Sequence, residues 1–322
     1  TGANVAVTDA GAVDLGASTV SGTLGVTSAG AVTDSGLLAI TGATTINASG
    51  QAVSLTNEAS TFGDFTVIAE DVYIVESGVF TSTNLTAETV QVSATEGVSV
   101  VSTGDGLQLA AQSGTGNIDV VNTGGLVISE LTNIQGIQFT DADATGTVSL
   151  VAKSPLTINA AIDAKAGEVL LVAAGSDITD DVTINSNVVG ASVDVYAGDS
   201  IAVTSDATIN SSSFELNVGT NYDIATASTS TGSSSAGLTL SNTAGLEKIK
   251  IPSIGLITGK GRITEFSSAG ITIMDDYLNA LNPVLEQNVN LNEIGSISSL
   301  DREIYNVFDP ADSDAIEIEE KK

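Results

Sequence analysis

Val7-Thr8, followed by Ala10-Gly11-Ala12-Val13, returns as Val26-Thr27 and Ala29-Gly30-Ala31-Val32, a shift of 19 residues. Outward from this pair, Ile46 follows Val26 by 20, Val67 follows Ile46 by 21, and Val72 follows Val53 by 19. Val100-Val101 and Thr103-Gly104 come back 20 residues later as Val120-Val121 and Thr123-Gly124. Farther along the unit lengthens. Thr157-Ile158-Asn159 recurs as Thr183-Ile184-Asn185 and as Thr208-Ile209-Asn210, at shifts of 26 and 25, while Ile178, Ile201 and Ile224 are spaced by 23. An internal period of this size marks a chain of stacked supersecondary units.

Within each unit apolar residues alternate with small or polar ones, as in Val5-Ala6-Val7 and Val193-Asp194-Val195. That is the pattern of a strand with one buried face. Gly, Asn, Asp and Ser punctuate the runs and supply turns. Helical spacing is not sustained before about residue 275. A leucine-rich repeat needs its own leucine signature, and a propeller blade needs about 40 residues and four antiparallel strands. The sequence therefore predicts an all-β fold: a right-handed parallel β-helix (β-solenoid) over residues 1–274, with a short irregular or partly helical C-terminal segment over 275–322. The hand follows from the preference of parallel crossovers. Roughly a dozen coils stacked at about 4.8 Å make a rod on the order of 60 Å long. The longer coils after residue 150 imply a wider section or protruding loops, and Asn159, Asn185 and Asn210 are expected to stack as an amide ladder at one turn.

Composition narrows the function. The chain of 322 residues carries 39 acidic and 9 basic residues, a net charge of −30, with 42% hydrophobic residues and a mean hydropathy of +0.28. A core can form, and low charge density with ample aliphatics argues against disorder. With 4% aromatics, no Trp, 33 Gly and 4 Pro, that core must be built from small and β-branched side chains, with backbone donors free for pairing. Cys and His are both absent, which removes disulfides, thiolate chemistry, zinc ligation and histidine acid–base catalysis. Nucleic acid is not an expected partner, because phosphate binding needs clustered Lys and Arg. No apolar run reaches the length of a transmembrane segment.

The stretches Gly25-Val26-Thr27-Ser28-Ala29-Gly30-Ala31-Val32-Thr33-Asp34-Ser35-Gly36 and Pro155-Leu156-Thr157-Ile158-Asn159-Ala160-Ala161-Ile162 resemble repeats of large bacterial exoproteins of the filamentous haemagglutinin type. The resemblance covers most of residues 1–270. It implies a right-handed β-helix exported by two-partner secretion from a Gram-negative cell, secreted or held at the cell surface, and acting in adhesion and biofilm. The amino-terminal secretion domain of that family is not in this sequence, so the export route is left open. No family binding motif is matched, and no binding residue is carried over.

No catalytic residue and no cofactor are assigned. Asp141 and Asp143 are the nearest thing to a calcium site within the repeats, and Asp312 and Asp314, with Asp309 and Glu317, form a denser acidic group near the end. Calcium needs six or more oxygens. Without a glycine-aspartate calcium repeat or an EF-hand loop, these are read as solvated turn and tail acids. A glycosidase needs two carboxylates, but sugar clefts favour aromatic platforms, and 5 Tyr and 7 Phe are spread thinly. Lys153, Lys165 and Arg262 stand singly, which does not suit a lyase. Tyr73, Tyr196 and Tyr222 fall at different places in the repeat, and Thr81-Ser82-Thr83 does not extend into the regular threonine array of an ice-binding face.

The expected role is structural: a subunit or segment of an extracellular fibre or adhesin. Thr1-Gly2-Ala3-Asn4 already reads as mid-repeat, so an open edge and head-to-tail self-association into filaments are expected, with Asp275–Phe308 as cap or clasp and Ile316-Glu317-Ile318-Glu319 as an added strand. Residue 1 as a cut point in a longer rod, with a free tail, stays open beside it. The alternatives are a monomeric adhesin binding a glycan or cell-surface receptor through the loops after residue 150, and a carbohydrate-active enzyme.

Overall fold

A computed structural model describes residues 1–174, 180–198, 200–204, 207–218, 220–222, 240–242, 256–267 and 270–275, with side chains through 216. Within it the chain is an all-β parallel solenoid of about ten turns, and no helix occurs among the described residues. At about 4.8 Å per turn this stack is close to 48 Å long.

Three strand positions repeat around each coil. The first runs from Val5–Asp9 through Leu24–Ser28, Thr44–Asn47 and Phe65–Ile68, with Val7 facing Val26, Val26 facing Ile46 and Ile46 facing Val67. It continues through Val79–Thr86, Gly97–Ser102, Ile118–Asn122, Thr147–Ala152, Glu168–Ala173 and Ser192–Ala197 to Thr208–Val218. The second begins at Val13–Leu15, with Val13 facing Val32, then Val32 facing Val53 and Val53 facing Val72. The third begins with Ser18–Val20 against Leu38–Ile40. Every one of these pairings is parallel. The register matches the period read between Val7 and Val72, and the return of Val100-Val101 as Val120-Val121.

Alternation sets which side chains turn inward. In Val193–Val195–Ala197 every second residue is buried, and Asp194 and Tyr196 between them face outward. Phe65, Phe80, Phe139 and Phe214 are the largest fully buried side chains, in one continuous apolar interior otherwise made of Val, Ile, Leu and Ala. Each aliphatic or aromatic side chain so buried stabilises the fold by roughly 1.5–3 kcal/mol. Close approach of coils is allowed at one corner by stacked glycines. A Cβ at Gly42 would lie 2.5 Å from the Gly22 carbonyl oxygen, and one at Gly63 would lie 2.2 Å from that of Gly42.

Two expectations are corrected. The third Thr-Ile-Asn copy does not continue the ladder of the first two. Ile158 faces Ile184, but Ile184 faces Val203, while Ile209 faces Val188 in the neighbouring strand position. The coil shortens after Asn185, so Thr208–Asn210 is carried one strand position onward. A strand tripeptide with a central apolar residue suits either place, because both require the same alternation. The coils also lengthen earlier than residue 150, between Ile118 and its partner Val148. There a loop with a Glu130–Gln135 bridge folds back, and the amides of Asn133 and Ile134 donate to Gln91 Oε1 at 2.8 and 3.3 Å.

At the far end, Leu256–Ser267 lies parallel to Thr208–Val218, and Gly270–Asp275 turns back antiparallel on it. Asp275 therefore ends a strand. The rest of the expected helix from Asp276, the tail, and the calcium candidates Asp312 and Asp314 lie outside the described residues, as do Ile178 and Ile224.

Candidate functional site

The solenoid concentrates its polar chemistry at corners. Asn122 is fully buried where Ile118–Asn122 ends. Its Nδ2 donates to the carbonyls of Gly104 and Gly125, each at 2.8 Å, and its Oδ1 accepts from Ser102 Oγ at 2.9 Å. This side chain ties two successive coils and is structural. On the surface, Asn185 Nδ2 donates to Asn159 Oδ1 at 2.8 Å, forming the first two rungs of the expected amide ladder.

Three carboxyls are shifted well above their usual range. Glu76 is 3% exposed, and burial raises its pKa to about 7 against the opposing effect of the Phe62 amide, which donates to Oε1 at 2.9 Å. Its second oxygen, Oε2, is buried without a hydrogen-bond partner among the described residues. Burial also raises Asp119 to about 6. Asp194 is raised to about 6 by burial and then by the neighbouring charges of Glu215 and Glu168. Glu215 is its register partner one coil on, and Glu168 stands in the strand one coil before.

These groups do not converge. Glu76 turns into the interior, whereas Asp119 and Asp194 face outward in the first strand position, three coils apart through Ser149 and Leu170, or about 14 Å at the strand spacing. Paired glycosidase carboxyls stand within about 5–9.5 Å. Asp194 and Glu215 are close enough, but they stand on a strand face, beside Tyr196, whose hydroxyl lies 3.4 Å from Glu215 Oε2.

Asp141 and Asp143 are exposed in a turn, and Asp141 Oδ1 accepts the amide of Asp143 at 3.0 Å. One candidate calcium oxygen is thus committed to local turn geometry. Among the described residues no group of three or more His, Cys, Asp or Glu side chains is arranged to hold a metal. Tyr73 and Tyr196 lie in different strand positions and form no common patch. The side chain of Tyr222 lies outside those described. Lys165 is ion-paired with Asp163.

Sequence reading passed over Glu76, Asp119 and Asp194. A signal existed for the first: Val72, Ile74 and Glu76 share one parity, so a glutamate occupies an inward slot of an otherwise apolar strand. Among the described residues no helix is long and apolar enough to cross a membrane.

Residues 2–69 match a family described as repeats of unknown function (DUF5649). Comparison with curated proteins and with solved structures gave no match. With the wound coil, this makes the chain a repeat protein of the β-helix class.

Proposed function

We propose that this chain is a rod segment of a secreted extracellular fibre or adhesin, related to the filamentous haemagglutinin type, which works mechanically in cell adhesion and biofilm. The observation that carries this reading is the continuous parallel pairing from Val5–Asp9 to Thr208–Val218, shifted in register only within Val79–Thr86, over one continuous apolar interior. Each coil is bonded to the next along the axis, so tension on the rod is shared by whole ladders of backbone hydrogen bonds. The net charge of −30 keeps such rods apart and soluble. Self-association into filaments belongs to this reading.

The glycan-binding adhesin is the second reading. It is favoured by the inserted loop held against Gln91, whose Thr132, Asn133 and Gln135 are exposed, since surface loops commonly carry recognition. Electron microscopy of the purified chain, with and without millimolar calcium, together with a glycan array, separates the two. Ordered filaments support the fibre, and persistent monomers with glycan binding support the adhesin. Turnover of a polysaccharide would overturn both in favour of an enzyme.

A further inference from the structure

We propose that Glu76 is a proton-operated latch: its neutral carboxyl, held inside the solenoid, clamps the corner formed by residues 57–63, and its ionisation releases that corner. Three observations carry this. Glu76 closes the strand Asp71–Glu76 on the inward parity and is 3% exposed. Its Oε1 is bonded to the Phe62 amide, and its Oε2 has no partner among the described residues. A buried carboxylate with one oxygen unsatisfied is strongly disfavoured, whereas the neutral acid is tolerated.

The clamped corner is the weak part of its coil. In place of a third strand it has only a single bridge, Ala39 to Thr61. Around that bridge run the hydrogen bonds Ile40 N to Thr61 O at 2.9 Å, Thr61 N to Leu38 O at 2.9 Å, and Leu38 N to Ser60 Oγ at 3.0 Å. Ser77, next to Glu76, donates its amide to Ser60 O at 2.9 Å, so the latch and the corner share a backbone contact. Phe62 follows in the chain and packs edge-on against Phe65 at 5.4 Å, so release of its amide uncovers apolar surface.

The charged groups around the latch are acidic. Glu58 lies on the corner itself, Asp64 precedes Phe65–Ile68, and Asp71 opens the strand of Glu76. Asp34 accepts the Thr56 and Asn57 amides from the coil before, and Glu96 donates its amide to Gly78 from the coil after. Directly above Glu76, its register partner is the neutral Ala94. Among the described residues no ion pair reaches the Glu76 carboxylate, and burial alone raises its pKa, against the opposing Phe62 amide. The burial-raised pKa of about 7 puts the transition near neutrality.

The test is hydrogen exchange by NMR on the intact chain. With the folded pKa near 7 and an ordinary glutamate value in the released corner, linkage gives roughly a thirtyfold rise in corner opening between about pH 5.5 and pH 8. The rise is read at the Phe62 and Ser77 amides after correction for intrinsic rates, with the Val98 amide as a distant control. In Glu76→Gln the rise disappears. A Phe62 amide whose protection does not change with pH overturns the proposal, as does the same rise in Glu76→Gln, or an equal rise at Val98. If the variant fails to fold, carbon-13 titration of the Glu76 carboxyl in the unaltered protein decides. A midpoint near 7 upholds the latch, and an ordinary glutamate midpoint refutes it.

Discussion

Asn185 hands a side-chain hydrogen bond to Asn159 across one turn of the solenoid, Nδ2 to Oδ1 at 2.8 Å, with Ile184 stacked on Ile158 beside them. The two amides are exposed, so the bond competes with water. Asn185→Ala should therefore lower stability by only about 0.5–1 kcal/mol, read as a small fall in the urea midpoint at unchanged slope. A loss above about 2 kcal/mol would mean that the ladder does more than register the coils.

The buried corner amide behaves differently. Asn122 satisfies the carbonyls of Gly104 and Gly125 and accepts from Ser102. Asn122→Ala strands those buried groups, and a loss of about 3 kcal/mol is expected in urea unfolding. Because a solenoid couples mainly nearest neighbours, the faster hydrogen exchange should concentrate in the coils around residues 98–128.

The glycine stack makes a sterically specific prediction. Gly42→Val must place its Cβ against the Gly22 backbone at 2.5–2.7 Å, so a loss of more than about 2 kcal/mol is expected. A Cβ at Gly16 meets nothing within 4 Å. Gly16→Ala should then stay within about 0.5 kcal/mol of the unaltered protein. Equal tolerance at both positions would show that coils at the Gly22–Gly42 corner are not in contact.

Asp194 gives a pH signature on the outer face. Its folded pKa, about 6, is above the ordinary aspartate value of 3.8, with burial the largest cause and Glu215 and Glu168 adding repulsion. The folded state holds this proton more tightly than the unfolded state, so the contribution is complete below about pH 3.8. It is lost as pH rises to about 6 and stays lost above that. Asp194→Asn should flatten this part of the stability–pH curve and raise stability at pH 7, by about 1 kcal/mol at most given partial solvent screening. A variant curve parallel to that of the unaltered protein would contradict the assignment.

The fold was legible because the solenoid repeats its evidence. Val7, Val26, Ile46 and Val67 are four copies of one inward slot, and each confirms the others. Where coil length varies, that advantage fails. Thr208-Ile209-Asn210 repeats the wording of Thr183-Ile184-Asn185 but occupies another strand position, since alternation constrains parity and leaves the position around the coil open. Sequence reads Asp141 and Asp143 as turn acids, but the acceptance of the Asp143 amide by Asp141 Oδ1 shows only in three dimensions. Glu76 carries no flag in the sequence except its parity, one acid among 39, and its partner Phe62 lies outside any strand, in a corner 14 residues back.

Each coil adds one strand spacing along the axis, and the absence of cysteine from the chain makes a direct ruler available. Spin labels at Thr8→Cys and Tyr196→Cys mark outward positions of the same strand ladder, nine coils apart by register. Pulsed electron-spin distance measurement should give a narrow distribution near 43 Å, apart from label length. A short distance near 20 Å, as two packed sheets or a folded-back chain would give, or a broad distribution without a peak, would contradict the wound rod and the function proposed on it.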